Sequence, residues 1–343
     1  MKTHAMNHLT RILAILWLLP CIFALSTTHH VLASEPFPEL PNTPTIIKWS
    51  PDGVYIAVGT GEFPCDWDRR ENFSTYVIDV VRLEIVSTLT DNWCPVNVLH
   101  WSADSTKLAI GSGDAVGVRV WDVPSGQLIT TLQNENGLQG GVSDVSWRFD
   151  GTSIAFATPS NGSVLMNPET GAIIDRLPGG TTVAWSPDGN LLFGASAYDG
   201  RGYIFDTDTQ ELVSDILELQ ITGGVAWSPD GTKIYATTSE DFVNYQLTIW
   251  DSATFEQLLQ IDAHEAPILG TLWSSDGDQI FTGAQDNFIR RWDVVTGQLT
   301  AEYHYAGQLR GFDVSPDGTV VVIGDIEGIE FIEFASDEAS SYP

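Results

Sequence analysis

The stretch Trp227-Ser228-Pro229-Asp230-Gly231 recurs along the chain, and its recurrence decides the fold. Trp49-Ser50-Pro51-Asp52-Gly53 and Trp185-Ser186-Pro187-Asp188-Gly189 repeat it letter for letter. Looser copies stand at Trp101-Ser102-Ala103-Asp104, Trp147-Arg148-Phe149-Asp150-Gly151, Trp273-Ser274-Ser275-Asp276-Gly277 and Val314-Ser315-Pro316-Asp317-Gly318. The seven lead positions are 38 to 52 residues apart, the spacing of a repeated supersecondary unit. Each anchor is entered by an apolar run such as Thr182-Val183-Ala184-Trp185 and left by another, Leu191-Leu192-Phe193, with turn residues between, which predicts strand, tight turn, strand.

About 20 residues after an anchor comes an aromatic followed by Asp: Trp121-Asp122, Phe205-Asp206, Trp250-Asp251, Trp292-Asp293. A second turn follows, marked by Ser125-Gly126, Thr170-Gly171 or Thr296-Gly297, and then a last short apolar run. Each repeat therefore predicts four antiparallel strands, a to d. A sheet with two apolar faces must stack on its neighbours, and a closed ring leaves no end uncovered. The expected fold is all-β, a seven-bladed β-propeller of four-stranded antiparallel blades.

Residues 1–33 belong to no repeat. Lys2 and Arg11 precede the apolar run Ile12 to Leu25, too short to span a bilayer comfortably. Val31-Leu32-Ala33 follows, so the segment predicts a secretory signal peptide cleaved after Ala33. Retention as an uncleaved anchor is the alternative; Leu18-Leu19-Pro20-Cys21 is a poor lipoprotein box because Pro20 stands where a small residue is required. Cleavage leaves residues 34–343 as one domain with no membrane insertion, secreted or extracytoplasmic.

The whole chain carries 45 acidic against 15 basic residues, a formal charge of −30. Removing Lys2 and Arg11 takes it to −32. That field repels phosphate backbones and anionic lipid, which argues against nucleic acid and favours basic partners, cations or simple solubility.

In the first blade an insertion, Gly59 to Phe73, separates strand b (Val54–Val58) from strand c (Thr75–Asp79) and contains Cys65. Cys94 lies between strand d of this blade and strand a of the next. Strand alternation puts b–c and d–a connections on one face of the ring and a–b and c–d turns on the other. Two mature cysteines on one face of neighbouring blades predict a Cys65–Cys94 disulfide in an oxidising compartment, the alternative being two free thiols. At the other end, the last blade offers strands a, b and c, Phe312–Val314, Val320–Ile323 and Ile329–Ile332, and no strand d. Residues 34–40 are the spare segment expected to close it as an edge strand, where Pro36 and Pro38 are tolerable.

Blade six carries the fullest signature: Ala263-His264, the Trp273 anchor, then Phe281-Thr282-Gly283-Ala284-Gln285-Asp286-Asn287-Phe288-Ile289-Arg290-Arg291-Trp292-Asp293. This resembles a complete repeat of the WD-repeat β-propeller family, with Ala263 departing from the usual Gly-His start. The resemblance covers Thr45 to Phe334 and implies a buried hydrogen-bonded tetrad of His264, Thr282, Asp286 and Trp292 with a structural role. The other repeats lack the His, and blades three and seven carry Met166-Asn167 and Ile332-Glu333 in place of Trp-Asp.

Neither a Gly-x-Ser-x-Gly elbow nor a His-Glu-x-x-His helix occurs. Asp206-Thr207-Asp208 and Asp66-Trp67-Asp68 are carboxylate pairs more often used to cap turns than to hold metal, so no catalytic residue, metal or cofactor is assigned. The variable b–c and d–a connections carry Phe63, Trp67, Trp93, Tyr198, Phe242 and Tyr305, the expected binding face. The reading is a non-enzymatic extracytoplasmic scaffold that takes a protein or peptide there. The alternative is an exported propeller enzyme, of lactonase or sugar-hydrolase type, using metal or carboxylates at the central opening.

Overall fold

A computed structural model describes residues 37–61, 73–92, 94–113, 117–132, 141–196, 200–216, 221–239 and 243–334. They form seven antiparallel sheets in sequence order around a ring. Six sheets have four strands in the order a, b, c, d; blade one runs Pro44–Trp49, Tyr55–Thr60, Phe73–Asp79 and Glu84–Asn92. Blade six runs Ile268–Trp273, Gln279–Ala284, Phe288–Asp293 and Leu299–His304. Blade seven has three strands among the described residues: Gly311–Val314, Val320–Gly324 and Ile329–Glu333. Strands b and c are buried almost throughout, while strand d shows water one face; Phe156, Phe193 and Phe281 lie fully inside between neighbouring blades.

The repeated pentapeptide builds the blade and joins it to the next. Strand a is the inner edge of its sheet, so its backbone and its Trp indole need partners outside the blade. Trp101 Nε1 donates to the Lys48 carbonyl at 3.1 Å, Trp147 Nε1 to His100 O at 3.0 Å, Trp227 Nε1 to Ala184 O at 3.1 Å and Trp273 Nε1 to Ala226 O at 3.4 Å. Each acceptor immediately precedes the previous blade's anchor, so the indole is an inter-blade staple. Within the turn the Ser hydroxyl donates to the Asp carboxylate two residues on, at 2.5 to 2.6 Å in six blades. The fifth position needs a left-handed backbone: Gly231 has φ 73°, and where blade two lacks the Gly, Ser105 takes φ 59° and its Oγ accepts from the Asp52 amide of blade one.

The Asp of the aromatic-Asp pair caps the c–d turn. Asp251 Oδ1 accepts from the amides of Ala253 and Thr254, and Asp293 Oδ1 from those of Val295 and Thr296. Asn167 does the same for Glu169 and Thr170, which is why blade three tolerates the change. Asp206 is another such cap, accepting from the amides of Asp208 and Thr209, while Asp208 lies 3.8 Å from Arg148.

Of the segment 34–40 expected to close the ring as a strand, residues 34–36 lie outside the described residues, and the rest closes it differently. Phe37 to Leu40 is not a strand; Phe37 instead packs its ring 5.2 Å from Phe331, which meets Trp49 at 5.9 Å. Blade seven meets blade one through Asp313, whose Oδ2 accepts from the Trp49 amide at 2.6 Å and whose Oδ1 lies 3.9 Å from Lys48 Nζ. The prolines supply the reason: Pro36 and Pro38 donate no ladder hydrogen bond, whereas the Phe37 side chain between them fills an apolar gap.

Candidate functional site

His264 ends strand d of blade five and points into the interface with blade six, its side chain fully shielded from solvent. Nδ1 lies 2.9 Å from Asp286 Oδ2 and 3.1 Å from Oδ1, and Nε2 lies 2.7 Å from Thr282 Oγ1. Trp292 Nε1 donates to that same oxygen at 2.9 Å. One assignment that satisfies all four groups runs Trp292 N–H to Thr282, Thr282 O–H to His264 Nε2, and His264 Nδ1–H to Asp286, with Arg290 Nη1 also 3.0 Å from Nδ1. Burial pushes the imidazole below its ordinary pKa against the opposing pull of Asp286, and Arg290 adds to the depression. Burial thus disfavours the charged imidazole, and the set is a buried hydrogen-bonded relay with every member used.

Arg290 extends the set outward. Alternation along strand c puts Phe288, Arg290 and Trp292 on one side of the sheet. The Arg290 guanidinium lies 4.7 Å from the Phe288 ring centroid, and its Nε donates to Glu302 Oε2 at 2.6 Å. Its Nη1 donates to the Ala263 carbonyl at 2.7 Å and lies 3.3 Å from Asp286 Oδ2. Burial opposes ionisation of Asp286, but His264, the Phe288 amide and Arg290 together hold its carboxyl below the usual range.

Above this set a cleft of about 850 Å³ opens on the b–c and d–a face. Blade five lines it with Gln246, Asp262, Ala263, His264 and Glu265, and blade six with Asp286, Phe288, Arg290, Leu299 and Glu302. The apolar packing between these blades, Leu247, Ile249 and Ile261 against Ile280 and Trp292, ends beneath it. Gln246 Nε2 donates to Asp262 Oδ1 at 3.0 Å. The volume falls within the range of ligand clefts.

Of the expected binding aromatics, Phe63, Trp67, Trp93, Tyr198 and Phe242 lie outside the described residues. Tyr305 does not belong to an exposed surface: it is 8% exposed, packs with Leu309 and Phe312, and donates its hydroxyl to Asp325 Oδ2 at 2.6 Å. Burial and that carboxylate push its phenol well above the usual range. A large aromatic after strand d is here a core residue of the last interface. Cys94 is fully buried and disulfide-bonded; Cys65, Asp66 and Asp68 lie outside the described residues. Among the described residues no three His, Cys, Asp or Glu side chains are grouped as metal ligands, and no helix is long and apolar enough to cross a membrane. The cleft residues Asp262, Phe288, Arg290 and Glu302 were not singled out from the sequence. The available signal was an Arg on the same strand face as the tetrad Trp.

A ring of seven blades, six of them four-stranded among the described residues, with four anchor indoles stapling neighbours and a His–Thr–Asp–Trp set in one blade, resembles the construction of a WD-repeat propeller. The family description "WD domain, G-beta repeat" matches residues 178–206 and 255–293, the second span holding the whole tetrad. The chain is a seven-bladed β-propeller that is similar to WD-repeat proteins over these two spans. It is 25% identical over 232 residues to the human angio-associated migratory cell protein, covering 67% of this chain and 46% of that protein. To the APC/C activator protein CDH1 of Saccharomyces cerevisiae it is 26% identical over 263 residues, 74% of this chain and 43% of that one. To the WD repeat-containing protein WDS homolog of Arabidopsis thaliana it is 25% identical over 264 residues, 72% and 46%. The chain thus spans less than half the length of these relatives. WD-repeat propellers generally bind proteins and act as interaction scaffolds.

Proposed function

We propose that this propeller is a non-enzymatic scaffold that works outside the cytoplasm and holds a protein or peptide on its b–c and d–a face. The observation that carries the reading is the cleft between blades five and six on that face. The buried polar set beneath it is fully engaged in mutual hydrogen bonds, which supports a structural rather than a chemical use of His264. Location rests on the sequence of residues 1–33, and the pairing of Cys65 with Cys94 rests on that location together with the bonded state of Cys94. Closing a loop of that length stabilises by about 3–4 kcal/mol on the chain-entropy account.

The test is site-specific photo-crosslinking in the native host. A photoreactive residue at Glu265, in a d–a connection, is expected to capture a discrete protein, and one at Val295, in a c–d turn, to capture none. Capture from Val295 alone overturns the face assignment, and capture from neither overturns the scaffold reading. The amino-terminal mass of the exported chain decides the location: a chain beginning at Ser34 fits, and one retaining Met1 in the cytosol does not.

A further inference from the structure

We infer that the cleft between blades five and six is a receptor for an arginine side chain of an extended, basic partner peptide. The inference rests on the scaffold reading above and names the chemistry of the partner. Asp262, Glu265, Asp286 and Glu302 line the cleft against one guanidinium, Arg290. Arg290 is itself held by Glu302 at 2.6 Å and by the Ala263 carbonyl at 2.7 Å, so its charge is already countered within the cleft. Asp262 is bound only by the neutral amide of Gln246, and Glu265 is exposed with no ion pair among the described residues.

The cleft already shows what it does with a guanidinium. Arg290 lies against the Phe288 ring at 4.7 Å while carboxylates on both sides engage its nitrogens. A guanidinium against an aromatic ring with carboxylates on its nitrogens is a setting that suits arginine better than lysine. Two carboxylates remain at the mouth with their acceptor capacity largely unused, in a space of about 850 Å³. A strongly acidic chain, −30 overall, also draws a basic partner toward this face before contact is made.

The test uses the propeller from residue 34 onward and two fluorescent probes, acetyl-Gly-Arg-Ser-Arg-Gly-amide and the same peptide with citrulline for arginine. Citrulline keeps the shape and removes the charge. The arginine probe is expected to bind saturably, to weaken roughly fivefold in the double variant Asp262→Asn/Glu265→Gln, and to weaken again as salt rises from about 50 to about 300 mM. That variant leaves the tetrad and Arg290 untouched, and an unchanged melting temperature verifies it. Absent binding, equal binding of the citrulline probe, or indifference to the double variant overturns the inference, as does preference for a phosphoserine probe lost on Arg290→Gln. Failure here with crosslinked capture from Glu265 intact leaves the scaffold reading standing; loss of both removes it.

Discussion

Blades two and six both carry a Trp-Asp pair, yet only one of the two tryptophans is fully partnered. Trp292 donates to Thr282 at 2.9 Å, and Thr282 is held in turn by His264. In blade two the register Leu108 opposite Trp121 matches Ile280 opposite Trp292, so Ile110 stands where Thr282 stands. The Trp121 indole nitrogen is buried with no hydrogen-bond partner among the described residues. Blade three goes further and replaces both members, with Phe156 and Met166 fully buried at the threonine and tryptophan positions. A polar set is worth keeping whole or replacing whole, because a half-made set leaves a desolvated donor behind. What all three blades share is the turn caps and their place in the stapled ring, and these define the blade.

The largest expected effect separates the two blades by acid. His100, in strand a of blade two, has its pKa lowered to about 4, chiefly by burial and then by Lys48, while the Trp101 carbonyl opposes. A histidine depressed in the folded state lends stability fully present above its unfolded value of 6.5. That stability is lost as pH falls from there toward about 4, because the unfolded chain takes up the proton first. The span is worth on the order of 3 kcal/mol before any discount for partial solvent access. His264 acts in the same direction; Asp144 and Asp313, raised mainly by burial, act in the opposite one. Urea unfolding across this window should show a pH slope that flattens in His100→Gln. An unchanged slope breaks the assignment.

Next in size is His264→Ala, which strands Thr282 and Asp286 in the blade interface. It should cost about 1–3 kcal/mol, read as a lower urea midpoint, whereas His304→Ala should be milder, since His304 is exposed and only stacks on Phe288 at 4.7 Å. Trp292→Phe removes one donor to Thr282 and should cost about 1 kcal/mol.

The ring was legible because its signals are local: a Pro-Asp-Gly turn and an aromatic-Asp cap act within a few residues, and both repeat. The tetrad was legible for the same reason, its residues falling at fixed places in one repeat. Closure was misjudged because Phe37 works through its ring against Phe331, a contact between chain ends that strand counting does not see. Tyr305 was misplaced because its partner Asp325 lies 20 residues on, in the next blade. The cleft was missed because Asp262 and Glu302 belong to different blades, and only their convergence on Arg290 and its surroundings gives them meaning.

The smallest expected effect is the sharpest test of the comparison. Trp121→Phe removes a buried donor that has no acceptor, and Phe retains most of the apolar bulk that packs with Leu99 and Leu108. The lost volume costs stability, and the removed desolvation penalty returns it, so the net change should lie within about 0.5 kcal/mol of zero. The reciprocal change, Ile110→Thr, places a hydroxyl where Thr282 sits in blade six but brings no histidine with it; the threonine can accept from Trp121 while giving up apolar contacts. If Trp121→Phe costs as much as Trp292→Phe, the two indoles are equivalent after all, and the tetrad contributes nothing beyond packing. If instead the blade-two change is neutral while the blade-six change is not, the hydrogen bond to Thr282 accounts for the difference.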